Sequence, residues 1–410
     1  MALNRWMPRQ KKVSQINTLT PAAVDIGDTF TVTINTKAIT FTATVATVAN
    51  VTAGLVALLQ ASAEPEFARI TWTDSTTLIT ATAKVAGTPF TQTSSSTGGT
   101  LTTATPTANK SPNDVNDALN WTDGIPTNGD DILIDLPGIE NSMYWNLGAL
   151  TAVTVASITR RLSAKGAKIG LPEVNRQGAA YSEYLATEFD IGMQTGFTVL
   201  IEVDPTDAAE SIKLNTNTTQ TTLTVRGSSA AGIGNEVVWW RGSHASNVVN
   251  VENSSLAIGP VNNNAATVAT LNVQSATVRV GAGVTLGVIN NNRGQLKSNA
   301  GFTTLTQLDG SIVVEGNALN ITTATIQGGT FDYRAIGTIT TMTLGSRGKA
   351  EFGNDNRARI ITNTINAYKG ASFNDPAATT IAGGLDITPV GCGINDIKVN
   401  VGPSRTFTVA

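Results

Sequence analysis

The chain has 410 residues, of which 14% are charged, and its formal net charge is −3. Charged residues make up about a quarter of an ordinary soluble chain, and this low, nearly balanced charge creates no field that would attract nucleic acid or an anionic membrane, so we predict neither as a partner. The single cysteine, Cys392, excludes an intrachain disulfide, and no apolar run reaches the length of a membrane span.

Residues 1–15 read as a short N-terminal anchoring arm with no hydrophobic core of its own. Its basic residues and its tryptophan are Arg5, Arg9, Lys11, Lys12 and Trp6. The arm is either a frayed terminus or an anchor that orders against a partner, with Trp6 filling a pocket there. The stretch MALNRWMPRQKK has no apolar region of the kind a secretory signal needs, so we expect no export by that route.

Residues 16–108 are predicted to form a small α+β module. Two alternating runs around Asn35 indicate a hairpin, VTAGLVALLQAS has the apolar spacing of a short helix, and ARITWT and TLITATAKV indicate further strands. The segments GDTFTVTI at 27–34 and KVAGTPFT at 84–91 resemble a module of phage and bacterial surface proteins. That resemblance implies a structural or adhesive building block without catalytic residues.

A parallel β-helix is predicted for residues 113–375, after a linker rich in Ser, Thr, Gly and Pro. Its first stretch, LNWTDGIPTNGDD, resembles the entry turn of β-helical surface proteins, in which Trp121 would plug the open end of the core. Asp130 and Asp131 follow in a turn. Such a pair either binds a cation or, more commonly, accepts hydrogen bonds within the turn itself.

The middle of the chain is rich in strand patterns but less regular. An insertion near 171–192 breaks the pattern, and its Tyr181 and Tyr184 are predicted on a contact loop. Further along, strict alternation would point one of Trp239 and Trp240 into the core and the other outward. The outward tryptophan is a second predicted contact.

The clearest repeat runs from Ala269 to Asp375, where one strand–turn–strand motif recurs six times at intervals of roughly 20 residues, the mark of a solenoid. The turn residues are Ala276, Gly294, Gly310, Gly329, Gly348 and Gly370. Positions two and four residues after each turn are mostly apolar, so they are predicted to point inward. The predicted fold is mainly β, a right-handed parallel β-helix preceded by the α+β module, with residues 376–410 as a C-terminal cap or extension.

Little in the sequence points to catalysis. Asp332 and Glu351 fall one turn apart on the outer side, about 5 Å, which would suit a retaining glycosidase. Lys297 and Arg279 continue the same column, however, which favours a ladder of solvated charges. No phosphate-binding loop, zinc-protease motif or paired CxxC occurs. We therefore predict no enzyme, no cofactor and no metal site.

Most of the chain resembles structural proteins of tailed-phage virions. The segments that carry the resemblance are the Asn4-Arg5-Trp6 start, IGDTFTVTIN, LNWTDGIPTNGDD, WRGSHASNVVNV and ITTMTLGSRGKAEF. The resemblance implies a virion protein made in the host cytoplasm, and it gives no residue roles. The leading hypothesis is a homotrimeric capsid decoration protein that stabilises the shell by binding the major capsid protein or another virion protein. The alternatives are a tail fibre or spike that binds a host receptor, and a polysaccharide-degrading β-helix enzyme.

Overall fold

The computed structural model describes residues 2–170, 188–259, 265–376, 385–402 and 408–409, apart from the side chains of 193–195. The protein is mainly β, with 53% of its residues in strands and 8% in helices. A parallel β-solenoid of about 11 turns dominates the fold, as the sequence repeat predicted. Among the described residues, no helix is long and apolar enough to cross a membrane.

The elements fall into a first strand, an inserted group and a long series of solenoid strands. The first strand is β1 (Leu3–Arg5). The inserted group comprises β2 (Ile16–Ala22), β3 (Thr29–Ile34), β4 (Lys37–Thr42), α1 (Val48–Ala61), α2 (Pro65–Ala68), β5 (Ile70–Asp74), β6 (Ile79–Ala83), β7 (Gln92–Thr97) and β8 (Thr100–Thr107). The solenoid continues with β9 (Asp131–Ile134), β10 (Leu150–Arg160), β11 (Phe189–Val203), β12 (Ile212–Asn215), β13 (Thr221–Gly227), β14 (Val238–Arg241), β15 (Val248–Glu252), β16 (Ser255–Ile258), β17 (Ala266–Gln274), β18 (Thr277–Val280), β19 (Val284–Ser298), β20 (Phe302–Gly316), β21 (Ile321–Ala335), β22 (Thr338–Glu351), β23 (Ile360–Ile361), β24 (Ile365–Tyr368), β25 (Ser372–Asn374), β26 (Asp386–Val390), β27 (Lys398–Asn400) and β28 (Thr408–Val409).

Each solenoid strand pairs in parallel with a strand about one turn away. The pairing is longest from β19 through β22, where the strands match over most of their length. Inward side chains from all the turns merge into one hydrophobic core that extends from Trp6 to Val401. A single turn has no second layer against which to bury its apolar side, so its stability comes from the turns above and below.

The predicted inward columns are confirmed for the regular part of the repeat. Parallel pairing stacks a first buried column made of Val278, Leu296, Ile312, Phe331 and Ala350. The last copy is displaced by one residue. Lys349 pairs with Ser372. The residue that stacks on the turn residue Gly348 is therefore Ala371 and not Gly370.

Close stacking of the turns explains why glycine recurs at the turn position. A Cβ added to Gly329 would lie 2.1 Å from the carbonyl oxygen of Gly310 in the preceding turn. The backbone of Gly329 also has a φ of +76°, a region that favours glycine over other residues. Both the missing side chain and the positive φ are therefore required at this corner.

The N-terminal residues belong to the solenoid itself. Strand β1 pairs in parallel with β9, which places Leu3–Arg5 in the first turn. The chain then enters the inserted group, and the segment that leaves this group runs beside the segment that enters it. Met7 N donates a hydrogen bond to Asn120 O, and Val13 forms an antiparallel β-bridge with Lys110. The predicted order of a free arm followed by a module is corrected: the group is inserted between two parts of the first turn.

The inserted group has a hydrophobic core of its own. One antiparallel sheet has the strand order β5-β6-β2-β8 and the other has the order β4-β3-β7. The predicted hairpin is β3–β4, which turns at Asn35 with a φ of +56°. Helix α1 begins after Thr47, whose hydroxyl accepts a hydrogen bond from Asn50 N and so caps the helix.

A buried ion pair braces the solenoid where β10 ends. Arg160 and Asp207 lie 3.0 Å apart, and their side chains are 0% and 1% exposed. Arg160 also donates to the carbonyl oxygens of Glu202 and Ala164, at 2.6 and 2.8 Å. Asp207 in turn accepts from the backbone N–H of Gly166. The Asp207 carboxylate and the backbone carbonyl oxygens thus compensate the buried guanidinium charge, as burial requires.

A second buried arginine lies near the end of β22. Arg359 donates to the backbone carbonyl oxygens of Tyr333 and Asp355. Its guanidinium carbon also lies 5.7 Å from the Tyr333 ring centroid and 5.5 Å from that of Phe352. Burial raises the pKa of the Tyr333 hydroxyl to about 12, and the charge of Arg359 opposes the rise.

Parallel pairing continues beyond the segment predicted as the last turn. Strand β26 pairs with β24, β27 with β25, and β28 with β26. Residues 376–410 were predicted as a cap or extension that keeps strand character but loses the ladder. In the described part of that segment the ladder continues, and the strands add further turns to the solenoid.

Candidate functional site

Outward side chains form straight columns, because parallel pairing stacks equivalent residues about 4.8 Å apart. One of these columns carries five of the residues considered above for contacts or chemistry, and we call it the charged face. Its members, in order along the solenoid, are Lys213, Trp239, Ala257, Arg279, Lys297, Val313, Asp332, Glu351 and Asn374.

The paired tryptophans alternate as predicted. Trp240 lies in the hydrophobic core, while Trp239 lies on the charged face. Trp239 is nevertheless only 7% exposed, with the Lys213 ammonium 5.0 Å and the Arg279 guanidinium carbon 5.9 Å from its ring centroid. The prediction that the outward tryptophan is an exposed contact is therefore wrong, because its ring is already engaged by cations of the same chain.

Glu236 completes this cluster from the loop before β14. Its side chain is fully buried, and its Oε2 accepts hydrogen bonds from Arg279. Its Oε1 accepts from the backbone N–H of Gly234 at 2.7 Å. Both carboxylate oxygens are thus used inside the protein, which fixes Arg279 against Trp239.

An ion-pair cluster lies on the outer surface of β11, β12 and β14, in the column next to the charged face. Parallel pairing places Asp190, Asn215 and Arg241 next to one another, and Arg241 donates from Nε to Glu188. Burial raises the pKa of Glu188, and the hydrogen bond and charge of Arg241 oppose the rise. Burial also raises the pKa of Asp190, opposed by the charge of Arg241 and the hydrogen bond from Asn215.

Raised carboxylate pKa values occur both at functional sites and in structural ion-pair networks. In this cluster Asn215 is 5% exposed and the neighbouring Lys213 is 2% exposed. The Glu188 side chain is 15% exposed. These side chains interact with one another and expose little surface to a large ligand. The cluster therefore serves mainly to hold three turns of the solenoid together.

Glu188 and Asp190 were not predicted as site residues, because they fall inside the predicted insertion at 171–192. Strand β11 already begins at Phe189. The signal that would have found them is alternation, since Phe189 and Ile191 are both fully buried, which turns the residues on either side of Phe189 outward.

Substitution of Asp190 by asparagine is expected to remove one contribution to stability that wild type loses as pH rises. An acid whose folded pKa exceeds its ordinary value, 3.8 for Asp190, contributes stability that is present below that value and lost as pH rises through the folded pKa. The measurement is the free energy of unfolding of D190N and wild type from about pH 3, below the ordinary pKa of an aspartate, to pH 7.

Asp204 provides a control of opposite sign for that experiment. Hydrogen bonds from the hydroxyl and the backbone N–H of Thr206 lower its pKa, so D204N should instead remove stability that wild type gains as pH rises. Equal pH dependence in D190N and wild type would contradict the assigned role of burial at Asp190.

The two outer carboxylates once considered as a catalytic pair are engaged separately. Arg334 lies 2.6 Å from Asp332, and Asn374 donates to Glu351 at 2.6 Å. One turn earlier, Lys297 and Glu315 lie 2.7 Å apart. The favoured interpretation, a ladder of solvated charges, is therefore corrected at Asp332, which is 6% exposed and paired inside the protein.

The N-terminal contact candidates have different environments from one another. Trp6 is fully buried, and its ring packs edge-on against Trp121 at a centroid distance of 4.9 Å. The prediction that Trp6 fills a pocket on a partner is therefore wrong, because the ring plugs the end of its own core. Arg5 pairs with Asp135 at 2.6 Å.

The remaining basic residues of the segment lie at the surface. Arg9, Lys11 and Lys12 are exposed or half-exposed. The aliphatic stem of Lys12 passes over Gly87 of the inserted group. These three side chains stay candidates for contact with a partner, whereas Tyr181 and Tyr184 lie outside the described residues.

The carboxylates of Asp130 and Asp131, for which cation binding was the less common expectation, accept hydrogen bonds within the protein. Asp130 Oδ2 accepts from the backbone N–H and the hydroxyl of Thr127, at 2.8 and 3.2 Å, and Asp131 accepts from the Ser157 hydroxyl. The turn therefore shows the hydrogen bonding that was the commoner of the two expectations. Within the described ranges, no cluster of three His, Cys, Asp or Glu side chains has the arrangement of a metal site.

Two hollows of about 200 and 300 Å³ lie side by side on the inserted group. They share the residues Ala68, Ile70 and Lys84. Neither hollow is lined by a carboxylate, a histidine or a cysteine, so neither brings together an acid and a base for proton transfer.

No protein-family model, no curated protein and no solved structure matches this chain. The functional assignment therefore rests on the chain's own geometry and on the resemblance of its sequence segments.

Proposed function

We propose that the protein is a non-enzymatic structural component of a bacteriophage virion, a capsid decoration protein that binds the major capsid protein and stabilises the shell. The observation that carries the proposal is the single hydrophobic core that runs through about 11 turns. Such a rod resists bending and local unfolding, because each turn is held by its neighbours. A mechanical role makes use of that property.

The use of polar groups supports the same role. Outer charges such as Lys297, Glu315 and Arg334 are paired between successive turns, and buried charges such as Arg160 are compensated internally. Charges paired between successive turns are the pattern of a structural ion-pair network. This pattern favours a structural part over a polysaccharide-degrading enzyme.

We also propose that the solenoid winds right-handed and that residues 16–108 act as an α+β domain at its first turn. The exposed bases Arg9, Lys11 and Lys12 and the surface of that domain make the contact with the shell. The protein acts as a homotrimer in the virion.

The alternative of a receptor-binding tail fibre or spike relied on an outward tryptophan and on the insertion near 171–192 to bind host glycan, and residues 171–187 of that insertion lie outside the described residues. Aromatic rings bind sugars through an exposed face, and Trp239 exposes only 7% of its surface. The described residues therefore give this alternative no specific support, and capsid decoration remains the preferred function.

The proposal is tested by removing the protein from purified particles. Heads without it should release their DNA at a lower temperature and under milder osmotic shock than intact heads. Re-addition of purified protein should restore the original resistance, which controls for damage during removal. Heads that are equally resistant with and without the protein would refute a stabilising role.

A further inference from the structure

A second outer surface of the solenoid differs sharply from the charged face. It consists of two adjacent columns, which we call the threonine face. The first column contains Leu3, Asp131, Ser157, Thr198, Thr222, Val248, Thr270, Val288, Thr304, Thr323 and Thr341. The second contains Arg5, Leu133, Thr159, Leu200, Thr224, Asn250, Asn272, Asn290, Thr306, Thr325, Thr343, Asn366 and Thr388.

The threonine face carries charge only at its beginning. Asp131 and Arg5 are its ionisable residues, and Arg5 is paired with Asp135. From Ser157 onward both columns hold only Thr, Ser, Asn, Val and Leu. Depletion of charge with polar and charged residues at the rim is the pattern of protein–protein interfaces.

Charged residues reappear at the edge of this surface. Glu202, two residues beyond the second column on β11, pairs with Arg226 at 2.5 Å and with Arg161 at 3.7 Å. Among the described residues, the centre of the face has no ion pairs, and asparagine side chains of successive turns form hydrogen bonds with one another there. Asn272 donates to Asn250, and Asn290 donates to Asn272, each at 2.8 Å.

The periodicity of the surface favours a second copy of this chain as its partner. Two solenoids have the same spacing of about 4.8 Å between turns, so their side-chain columns can interdigitate along the whole length. A partner without that repeat would match only locally. A surface without charge also avoids the like-charge contacts that self-association would otherwise create.

The size of the surface is sufficient for a specific contact. Eleven turns at about 4.8 Å give a length of about 50 Å, and two columns give a width of about 12 Å. Roughly 600 Å² per copy, or about 1,200 Å² in total, reaches the lower limit of specific interfaces. The contact is therefore large enough to form and small enough to be reversible.

We propose that the threonine face is the surface through which the protein self-associates, packing against the same face of neighbouring copies. The inference rests on the proposed oligomer and is independent of the virion role. It assigns the contact to half-exposed β20–β22 side chains such as Thr306, Thr325 and Thr343.

The test compares two double variants by sedimentation over a range of concentrations. Thr306→Lys with Thr325→Lys introduces like charges on the threonine face, where each meets its counterpart. Ser311→Lys with Thr330→Lys places the same charges on the same two strands, also at half-exposed and paired positions, but outside that face. The first variant should dissociate at concentrations at least about tenfold higher than wild type, because like charges in contact cost more than about 1.4 kcal/mol.

The control variant should associate like wild type within about twofold, a difference well below 1.4 kcal/mol. A wild type that sediments as a monomer at every concentration would refute self-association itself. A wild-type oligomer that the first variant leaves intact would refute only the assignment to the threonine face. If a double variant does not fold, T306K and S311K give the same comparison with a single charge.

Discussion

Replacement of Trp6 by alanine is expected to lower the free energy of unfolding by about 3–5 kcal/mol, the usual cost of truncating a buried large aromatic side chain. Trp6 is fully buried, packs on Trp121, and donates from its indole N–H to the carbonyl oxygen of Asn141 at 2.8 Å. The substitution removes the packing and leaves that carbonyl without its donor. Denaturant unfolding of both proteins measures the difference.

Hydrogen exchange of backbone amides shows which strands lose stability in W6A. Because each turn contacts only its neighbours, W6A should reduce the protection of amides in β1 and β9 and leave β20–β22 protected. Leu3→Ala is the matched control, since Leu3 lies three residues before Trp6, in β1, but is 59% exposed, and it should change stability by less than about 0.5 kcal/mol. An unchanged W6A protein would show that the first residues do not close the core.

Replacement of Asp207 by alanine is expected to cost about 3–5 kcal/mol, because it leaves the buried charge of Arg160 without its partner. The two side chains are 0% and 1% exposed. The substitution also frees the backbone N–H of Gly166 and that of Asp204, which Asp207 now satisfies. Thermal and denaturant unfolding measure the loss.

Two further variants separate charge burial from the simple loss of a salt bridge. Glu64→Ala breaks the surface pair with Lys37, whose side chains are 48% and 44% exposed, and should cost less than about 1 kcal/mol. Arg160→Met combined with Asp207→Leu removes both charges and should be more stable than D207A. A double variant less stable than D207A would contradict this explanation.

The regular part of the solenoid could be predicted because its two requirements are local. Alternation assigns inside and outside along one strand, and the recurring small residue marks each corner. Those rules correctly placed Phe331 and Ala350 in one buried column and Asp332 and Glu351 outside. The rule failed by one residue at the last copy, where the glycine is offset from the column by a single position.

Contacts between distant parts of the chain could not be predicted in the same way. Trp6 reads as an exposed anchor because its partner, Trp121, is separated from it by the whole inserted group. Trp239 reads as exposed because alternation gives only its direction. The cations that cover it, Lys213 and Arg279, come from other turns, and pairing across turns depends on register that a single strand does not encode.

The charged face and the threonine face have different roles. The charged face ties turn to turn through pairs such as Lys297 with Glu315, which stiffens the rod. The threonine face lacks charges beyond its first turns and is available for contact with other copies. A rod that is stiff on one side and associates on another suits a part that reinforces a larger assembly.

The location of the protein in intact phage particles tests the central proposal most directly. Antibodies raised against the purified chain, coupled to gold, would be imaged on particles by electron microscopy, with particles stripped of the protein as the control. The account predicts gold distributed over the surface of the head. Gold confined to the tail or its tip, or no gold on any particle, would contradict it.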